Sequence, residues 1–313
     1  MTLRQLGRRG AQSAVVLLAL TFVAFMLIHL VPGDPVRIAL GPKAPEQQVR
    51  SVRHQLGLDQ PLFVQYLHYL GNTVRGNLGY SIQDHEPVST LVGPRILPSV
   101  FLLTYATLIS ILLAVPFAIL SAVRRNRLSD HGVRLLSMVT FAMPAFWLGL
   151  VLVQLFSLHW PIFPVSGYSG SPWEKLVDLT LPALTIGLYL APLLIRTLRG
   201  SMIDVLSTDY IEAARARGLS SFRVIGRHTL RNASMATVTV LAVNLGFLIS
   251  GTVIVEVVFS IPGLGSLIVS QVQTRDFPTV QALTLIFGTI VIVINFGTDI
   301  LYAIVDPRVR KAR

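Results

Sequence analysis

Few side chains in this sequence have the type and spacing that bond-making or metal chemistry needs. His54, His68 and His85 come nearest to a metal-ligand set. Their spacings match no compact ligand motif, and solvated or packing roles account for them. The chain has no Cys, which excludes disulfides, thiolate-held zinc, iron–sulfur clusters and a thiol nucleophile. Its lysines are Lys43, Lys175 and Lys311, and none precedes Ser or Thr. The Gly-x-x-x-x-Gly-Lys-Ser/Thr phosphate loop is therefore absent from the sequence, and any ATP that drives this protein must be bound by another chain. No nucleophile–base pair or acid pair stands out. Two acids lie at or near the ends of apolar runs, Glu256 and Asp299. An acid at membrane depth is costly and often marks a pathway. Glu256, followed by Phe259 and the Pro262-Gly263-Leu264-Gly265 turn, has two readings: part of an outer gate, or a structural hydrogen bond at a helix end. Asp299 reads as helix-end pairing beside the basic tail.

The elements that must position these residues are apolar. Of 313 residues 52% are hydrophobic and 13% charged, against roughly 25% charged in soluble domains. Mean hydropathy is +0.65. A spanning helix needs about 20 mostly apolar residues, and six runs qualify, at 12–31, 97–122, 135–158, 179–198, 236–258 and 280–304. The expected fold is an all-α polytopic membrane protein with six transmembrane helices. Pro116 and Pro144 read as kinks in spans two and three. The first span follows Arg4, Arg8 and Arg9, yet it is too long for a signal-peptide core and no small-x-small cleavage site follows it. It reads as an uncleaved helix.

Net charge is +11, and its distribution reads as topology rather than nucleic-acid binding. Eighteen of the 26 Lys and Arg fall in the N-terminal segment, loops 123–134 and 196–235, and the C-terminal tail. The positive-inside rule makes that side cytoplasmic. An even span count independently puts both termini on one face. The expected organisation is a basic N-terminal segment with span one (1–31), an extracytoplasmic insertion (32–96), and a core of spans two to six (97–313) that carries the loop 199–235. Within the insertion, Val49, Val52 and Leu56 predict a helix over 46–57 that stops at Gly57, and 61–70 predicts a second.

The loop is the most informative stretch. Asp209-Tyr210-Ile211-Glu212 has the form of a capping box, with Asp209 as the cap. The helix it starts stops at Gly218, which tolerates a left-handed turn. Ser220 or Ser221 then caps a second helix to about Arg231. Helices this short are marginal alone, so something must pack against them. Ala213-Ala214 offers a close-approach face, Phe222, Val224 and Ile225 offer apolar anchors, and Arg215, Arg217 and Arg223 offer charge. The occupant is a partner's groove or anionic lipid.

Glu212-Ala213-Ala214-x-x-x-Gly218, lying between spans four and five, resembles the EAA motif of ABC importer permeases. Further stretches narrow the likeness: Val31-Pro32-Gly33-Asp34-Pro35, Leu56-Gly57-Leu58-Asp59-Gln60-Pro61, Gly76-Asn77-Leu78-Gly79-Tyr80-Ser81, Pro164-Val165-Ser166-Gly167-Tyr168, Glu256 through Gly265, and Asp306-Pro307-Arg308-Val309-Arg310. Together these are similar to the B-type permease of dipeptide, oligopeptide and nickel importers, across nearly the whole chain. The resemblance implies the type I (MetI-like) importer fold in a bacterial inner membrane. It implies a C-type permease partner, two ATP-binding subunits or domains that hold ATP and Mg, and an extracytoplasmic substrate-binding protein. It assigns ATPase coupling to Asp209, Tyr210, Glu212, Ala213, Ala214, Arg215, Arg217, Gly218, Leu219 and Phe222, and no catalysis or cofactor to this chain. Such permeases carry a Pro shortly after Arg231-Asn232-Ala233, whereas Ser234-Met235-Ala236 stands here, so the second loop helix is expected to run smoothly into span five. Di- and oligopeptides are the expected cargo, with nickel chelates, glutathione, haem or sugars also compatible with the family. The competing classes are an ion-coupled secondary transporter, whose inverted repeats and mid-membrane acid pairs are not evident, and a membrane scaffold, which leaves the loop unexplained.

Overall fold

The computed structural model describes residues 3–305, with side chains over 7–298. The Asp299 side chain and the tail residues Arg308, Arg310, Lys311 and Arg313 lie outside the described residues. In chain order the helices are α1 (Leu3–His29), α2 (Pro35–Leu40), α3 (Glu46–Gln55), α4 (Leu62–Val74), α5 (Val88–Val123), α6 (Leu128–Ala142), α7 (Ala145–Val153), α8 (Pro172–Asp178), α9 (Thr180–Leu206), α10 (Asp209–Ala216), α11 (Ser221–Arg223), α12 (Arg231–Val258), α13 (Leu264–Thr274) and α14 (Phe277–Val305). Wider π turns follow α7, at Gln154–His159, and α11, at Val224–Leu230. No strand occurs among the described residues beyond the isolated bridge between Tyr80 and Pro87. Five helices are long and apolar enough to span a membrane, and six spans result if α6 and α7 are one bent span.

That bend falls where Pro144 was expected to kink the span over 135–158, and it is a full break rather than a mild kink. The axis turns by 104° between α6 and α7. Met143 sits in the extended region (φ −81, ψ 134) and Pro144 starts the next helix. The pyrrolidine ring disfavours the helical conformation for the residue before it and removes a backbone donor. Pro116, by contrast, lies inside α5, which is helical throughout.

The chain divides into two compact units. One comprises Met1–Ser99 and Pro262–Phe296, so the segment 32–96 groups with α1 and with α13 and most of α14. Here the motif residues have structural jobs. Asp34 caps α2 by accepting from Val36 N at 3.1 Å and pairs with Arg53 on α3. Gly57 takes φ +67 just past α3, a conformation that costs glycine nothing. α4 lies on α1 through Tyr66, which meets Thr21 at 3.1 Å and packs on Phe25. His29 bonds Gln65 at 2.9 Å, and His54 bonds Asp59 at 2.8 Å. The His54 hydrogen bond holds the Asp59 carboxyl below its ordinary range. Fully buried Asp276 accepts from Ser81 Oγ at 2.5 Å, Ile82 N at 3.2 Å and Thr279 Oγ1 at 2.7 Å, tying the insertion to the start of α14. Gly288 lies so close to Leu20 that a Cβ there would collide with it.

The other unit comprises Val100–Ile261 and Gly297–Arg313. α9 is its centre and packs against α6, α7 and α12. Its core gathers Leu102, Leu181, Leu194, Leu198, Val255 and Phe259. Without a hydrophobic drive between helices in lipid, close approach at small residues holds such bundles together. A Cβ on Gly187 of α9 would stand 2.8 Å from Ile109 Cγ2, and one on Gly149 of α7 would stand 3.1 Å from Phe259 Cε2.

Candidate functional site

The loop between α9 and α12 is built as a short outrigger. α9 ends at Leu206, and Ser207 and Thr208 fold back onto it through hydroxyl bonds to Asp204 O and Val205 O. Thr208, not Asp209, takes the N-cap position of α10, with extended backbone and no side-chain cap bond. The expected capping box is therefore not formed. Asp209 is the first helical residue, and it and Glu212 act on the positive helix end by proximity alone. α10 is followed by Arg217 and then Gly218 at φ +76, so the glycine exit is present. Ser220 precedes α11, and from Ser221 to Val258 the chain is helical without interruption. With Ser234 where a ring would otherwise stand, nothing removes a donor at this point.

Tertiary packing sorts the loop into two faces. Ile211 and Ala214, three residues apart on one face of α10, are buried, as are Val224 and Thr229. Asp209, Tyr210, Glu212, Ala213, Arg215, Arg217, Gly218 and Arg223 are exposed. Leu219 is half-buried, and Phe222 is 87% exposed. The expected Ala213-Ala214 pair is thus split, because adjacent residues on a helix point about 100° apart: Ala213 faces out and Ala214 faces in. Val224 anchors the loop to its own unit rather than to a partner. Tyr210 braces the arrangement. Its hydroxyl accepts from Asn232 Nδ2 at 2.8 Å, connecting α10 to the first turn of α12. The surface left outward carries charged side chains and one exposed aromatic ring.

A second cluster, of which the sequence analysis counted only Arg199, as a topology charge, supports the loop's root. Asp130 on α6 is fully buried. Arg199 on α9 donates to both its oxygens, Nε to Oδ1 at 2.8 Å and Nη2 to Oδ2 at 2.7 Å. Ser121 at the end of α5 donates to Oδ1, and Asn126 N donates to Oδ2 at 2.9 Å. Such a forked guanidinium–carboxylate pair fixes orientation as well as proximity. It fastens the end of α5 and the start of α6 to α9 about two turns before α9 ends. Asp130 and Arg199 lie 69 residues apart in sequence, and no local pattern in the sequence pairs them.

Comparison with known proteins gives this architecture a family. The family model "Binding-protein-dependent transport system inner membrane component" matches residues 114–311, and its N-terminal companion model matches 2–104. The chain belongs to that family. It is 40% identical over 294 residues to the "Glutathione transport system permease protein GsiC" of Salmonella choleraesuis (strain SC-B67), covering 94% of each chain. Its identity to the protein of that name from Escherichia coli (strain K12) is 38% over the same coverage. Among solved structures, "Crystal structure of an amino acid ABC transporter with histidines" aligns with a TM-score of 0.53 and 14% identity, covering 69% of this chain and 94% of that one, a likeness of fold. The protein is a multi-pass inner-membrane permease component of a binding-protein-dependent ABC importer, and nucleotide binding belongs to partner ATPases in such systems.

In this permease the four gate candidates fall into different settings. Glu256 is fully enclosed near the end of α12, and its backbone carbonyl accepts from Ile261 N at 2.8 Å. Phe259 is buried, packs on Gly149, and accepts through its carbonyl from Gly167 N at 3.2 Å. Both close one unit of the chain. Pro262 and Gly263 open the second segment of the other, where Gly263 precedes α13, a helix that the Pro-Gly-Leu-Gly pattern had suggested was only a turn.

Proposed function

We propose that this permease is the B-type half of a heteromeric importer for small peptides, with glutathione the first cargo to test, and that α10 and α11 are its contact with the ATPase. The observation that carries the coupling reading is the sorted loop. Ile211, Ala214 and Val224 are spent on its own unit, while Glu212, Ala213, Arg215, Arg217, Arg223 and Phe222 face outward with no side-chain hydrogen bond or ion pair among the described residues. An exposed aromatic ring together with arginines has the composition of a docking surface. ATP-driven closure of the two ATP-binding subunits moves α10. Tyr210–Asn232 and the unbroken helix from Ser221 to Val258 pass that motion to the spans, and α9 passes it through Arg199. The permease's own residues thus transmit force and line the route, while ATP and Mg are held by the ATPases. The names of the relatives support a γ-linked tripeptide as cargo. Both termini, and the loop with them, lie on the cytoplasmic side by the charge distribution.

The reading is tested by co-expressing the permease with its neighbouring permease, ATPase and binding-protein genes. The ATPase is expected to co-purify with it, and membrane vesicles carrying the set should take up labelled glutathione only when ATP and the binding protein are both present. Uptake driven by an ion gradient without ATP would overturn it.

A further inference from the structure

Between α6 and α9 lies a cleft of about 390 Å³, within the range of small-ligand sites, roughly 300–1,000 Å³. Two contacts fix how its walls align. Asp130 meets Arg199 at one end, and Phe141 stacks on Tyr189 at the other with centroids 6.0 Å apart. The helices are therefore antiparallel and in step, so Arg134 and Arg196 stand at one level. Met138, Pro192 and Leu193 stand about a turn deeper, and Phe141 deeper still. All six line the cleft.

The charge at that level is unbalanced. Both oxygens of Asp130 are committed to Arg199. Arg134 reaches Asp130 only at 4.0 Å, and its Nη2 lies 2.7 Å from His131 Nδ1, which brings no negative charge. Arg196 is exposed and makes no ion pair among the described residues. Two guanidinium groups thus face one opening whose depth is apolar, at the end of the spans nearest the coupling loop. An occupant must bring an anion to the rim and a hydrocarbon to the interior. Basic pockets between spanning helices, at the headgroup level, suit anionic lipid headgroups in this way, and arginine binds a phosphate with paired hydrogen bonds.

We propose that this cleft holds an anionic phospholipid of the leaflet at the coupling-loop end, with its phosphate on Arg134 and Arg196 and an acyl chain against Met138, Phe141 and Leu193. Because the same helices carry the Asp130–Arg199 pair, a bound lipid would brace the root of the loop.

The test uses the complete transporter, purified in detergent with phosphatidylglycerol and phosphatidylcholine supplied equally, and reads retained lipid by native mass spectrometry. Wild type is expected to keep phosphatidylglycerol selectively. R134Q/R196Q should lower its retention about tenfold, which is about 1.4 kcal/mol, while R134K/R196K largely keeps it. Met138→Trp, which fills the apolar part and leaves the arginines in place, should also release it, and this variant carries the test if the double variant does not assemble. Unchanged retention in both R134Q/R196Q and Met138→Trp overturns the proposal. So does equal retention of phosphatidylcholine. Displacement by inorganic phosphate alone would make this a free-anion site instead. A disulfide from Met138→Cys to a cysteine placed on the partner permease would make it a protein interface.

Discussion

Replacing Gly218 with valine should abolish ATP-driven uptake while leaving the permease folded and ATP hydrolysis by the complex intact. Gly218 sits at φ +76, where a β-branched residue is a steric outlier. A strained residue there costs on the order of 1–3 kcal/mol, and the chain will relieve it by unwinding the end of α10 or changing its angle to α11. The glycine is exposed and nothing crowds it, so the cost falls on the loop's shape and not on the core. Glu212→Lys should act by another route. Glu212 is exposed in the first turn of α10, and its side chain makes no hydrogen bond or ion pair among the described residues. Reversal therefore spares the permease's own packing, apart from a helix-dipole term of about 0.3–1 kcal/mol. Its effect would be read at the partner surface, where a like-charge contact costs several kcal/mol. Uptake should fall at least tenfold in each variant, measured beside ATPase activity and thermal stability. Full uptake in both would show that the loop's shape and charge do not carry the signal.

The largest effect on stability is expected at Asp130. Removing Arg199 alone, as Arg199→Met, leaves the fully buried carboxylate without its main counter-charge. Breaking a buried pair costs about 3–5 kcal/mol. The lower part of that range applies here, because the Arg199 side chain is still 18% exposed and water reaches its rim. Asp130→Leu alone should cost a similar amount by stranding the arginine. The double variant should recover most of the loss, since an apolar pair of similar volume often replaces a buried ion pair without penalty. Thermal unfolding in detergent across the four proteins measures the coupling directly. If the two single losses simply add, the pair is not a unit. Uptake by the double variant then separates two roles. Activity restored with stability means that the pair only holds the helices together, whereas stability without uptake means that its orientation matters to transmission.

The fold was legible where periodicity or composition is local. Val49 and Val52 announced α3, Gly57 its end, and long apolar runs announced the spans. Pro144 announced a kink in span three but not its size, because hydropathy does not register the backbone restriction that proline imposes on its neighbour and the apolar run passes straight through it. α13 was hidden by a Pro-Gly-Leu-Gly pattern that belongs as well to a helix start as to a loop. At the site, the glycine exit could be read from residue type alone. The assignment of inside and outside could not, since Ala213 and Ala214 are chemically identical and only packing distinguishes them. The spacing of Ile211 and Ala214 was the available clue. The Asp130–Arg199 pair was obscured by counting each arginine as solvent-facing charge, a rule that holds in aggregate and fails for the single residue that turns inward.

The proposed contact between the outward face of α10 and α11 and the ATPase is open to a direct test. The sequence contains no cysteine, so a single introduced thiol gives an unambiguous cross-link. Cysteines placed one at a time at Ala213, Ala214 and Phe222, in a complex carrying a photoactivatable thiol label, sample the two faces. The account predicts strong cross-linking to the ATPase from Ala213→Cys and Phe222→Cys, modulated by ATP, and little from Ala214→Cys, whose side chain points into the permease. Labelling of lipid alone from Ala213 and Phe222, or equal ATPase cross-linking from all three positions, would contradict it.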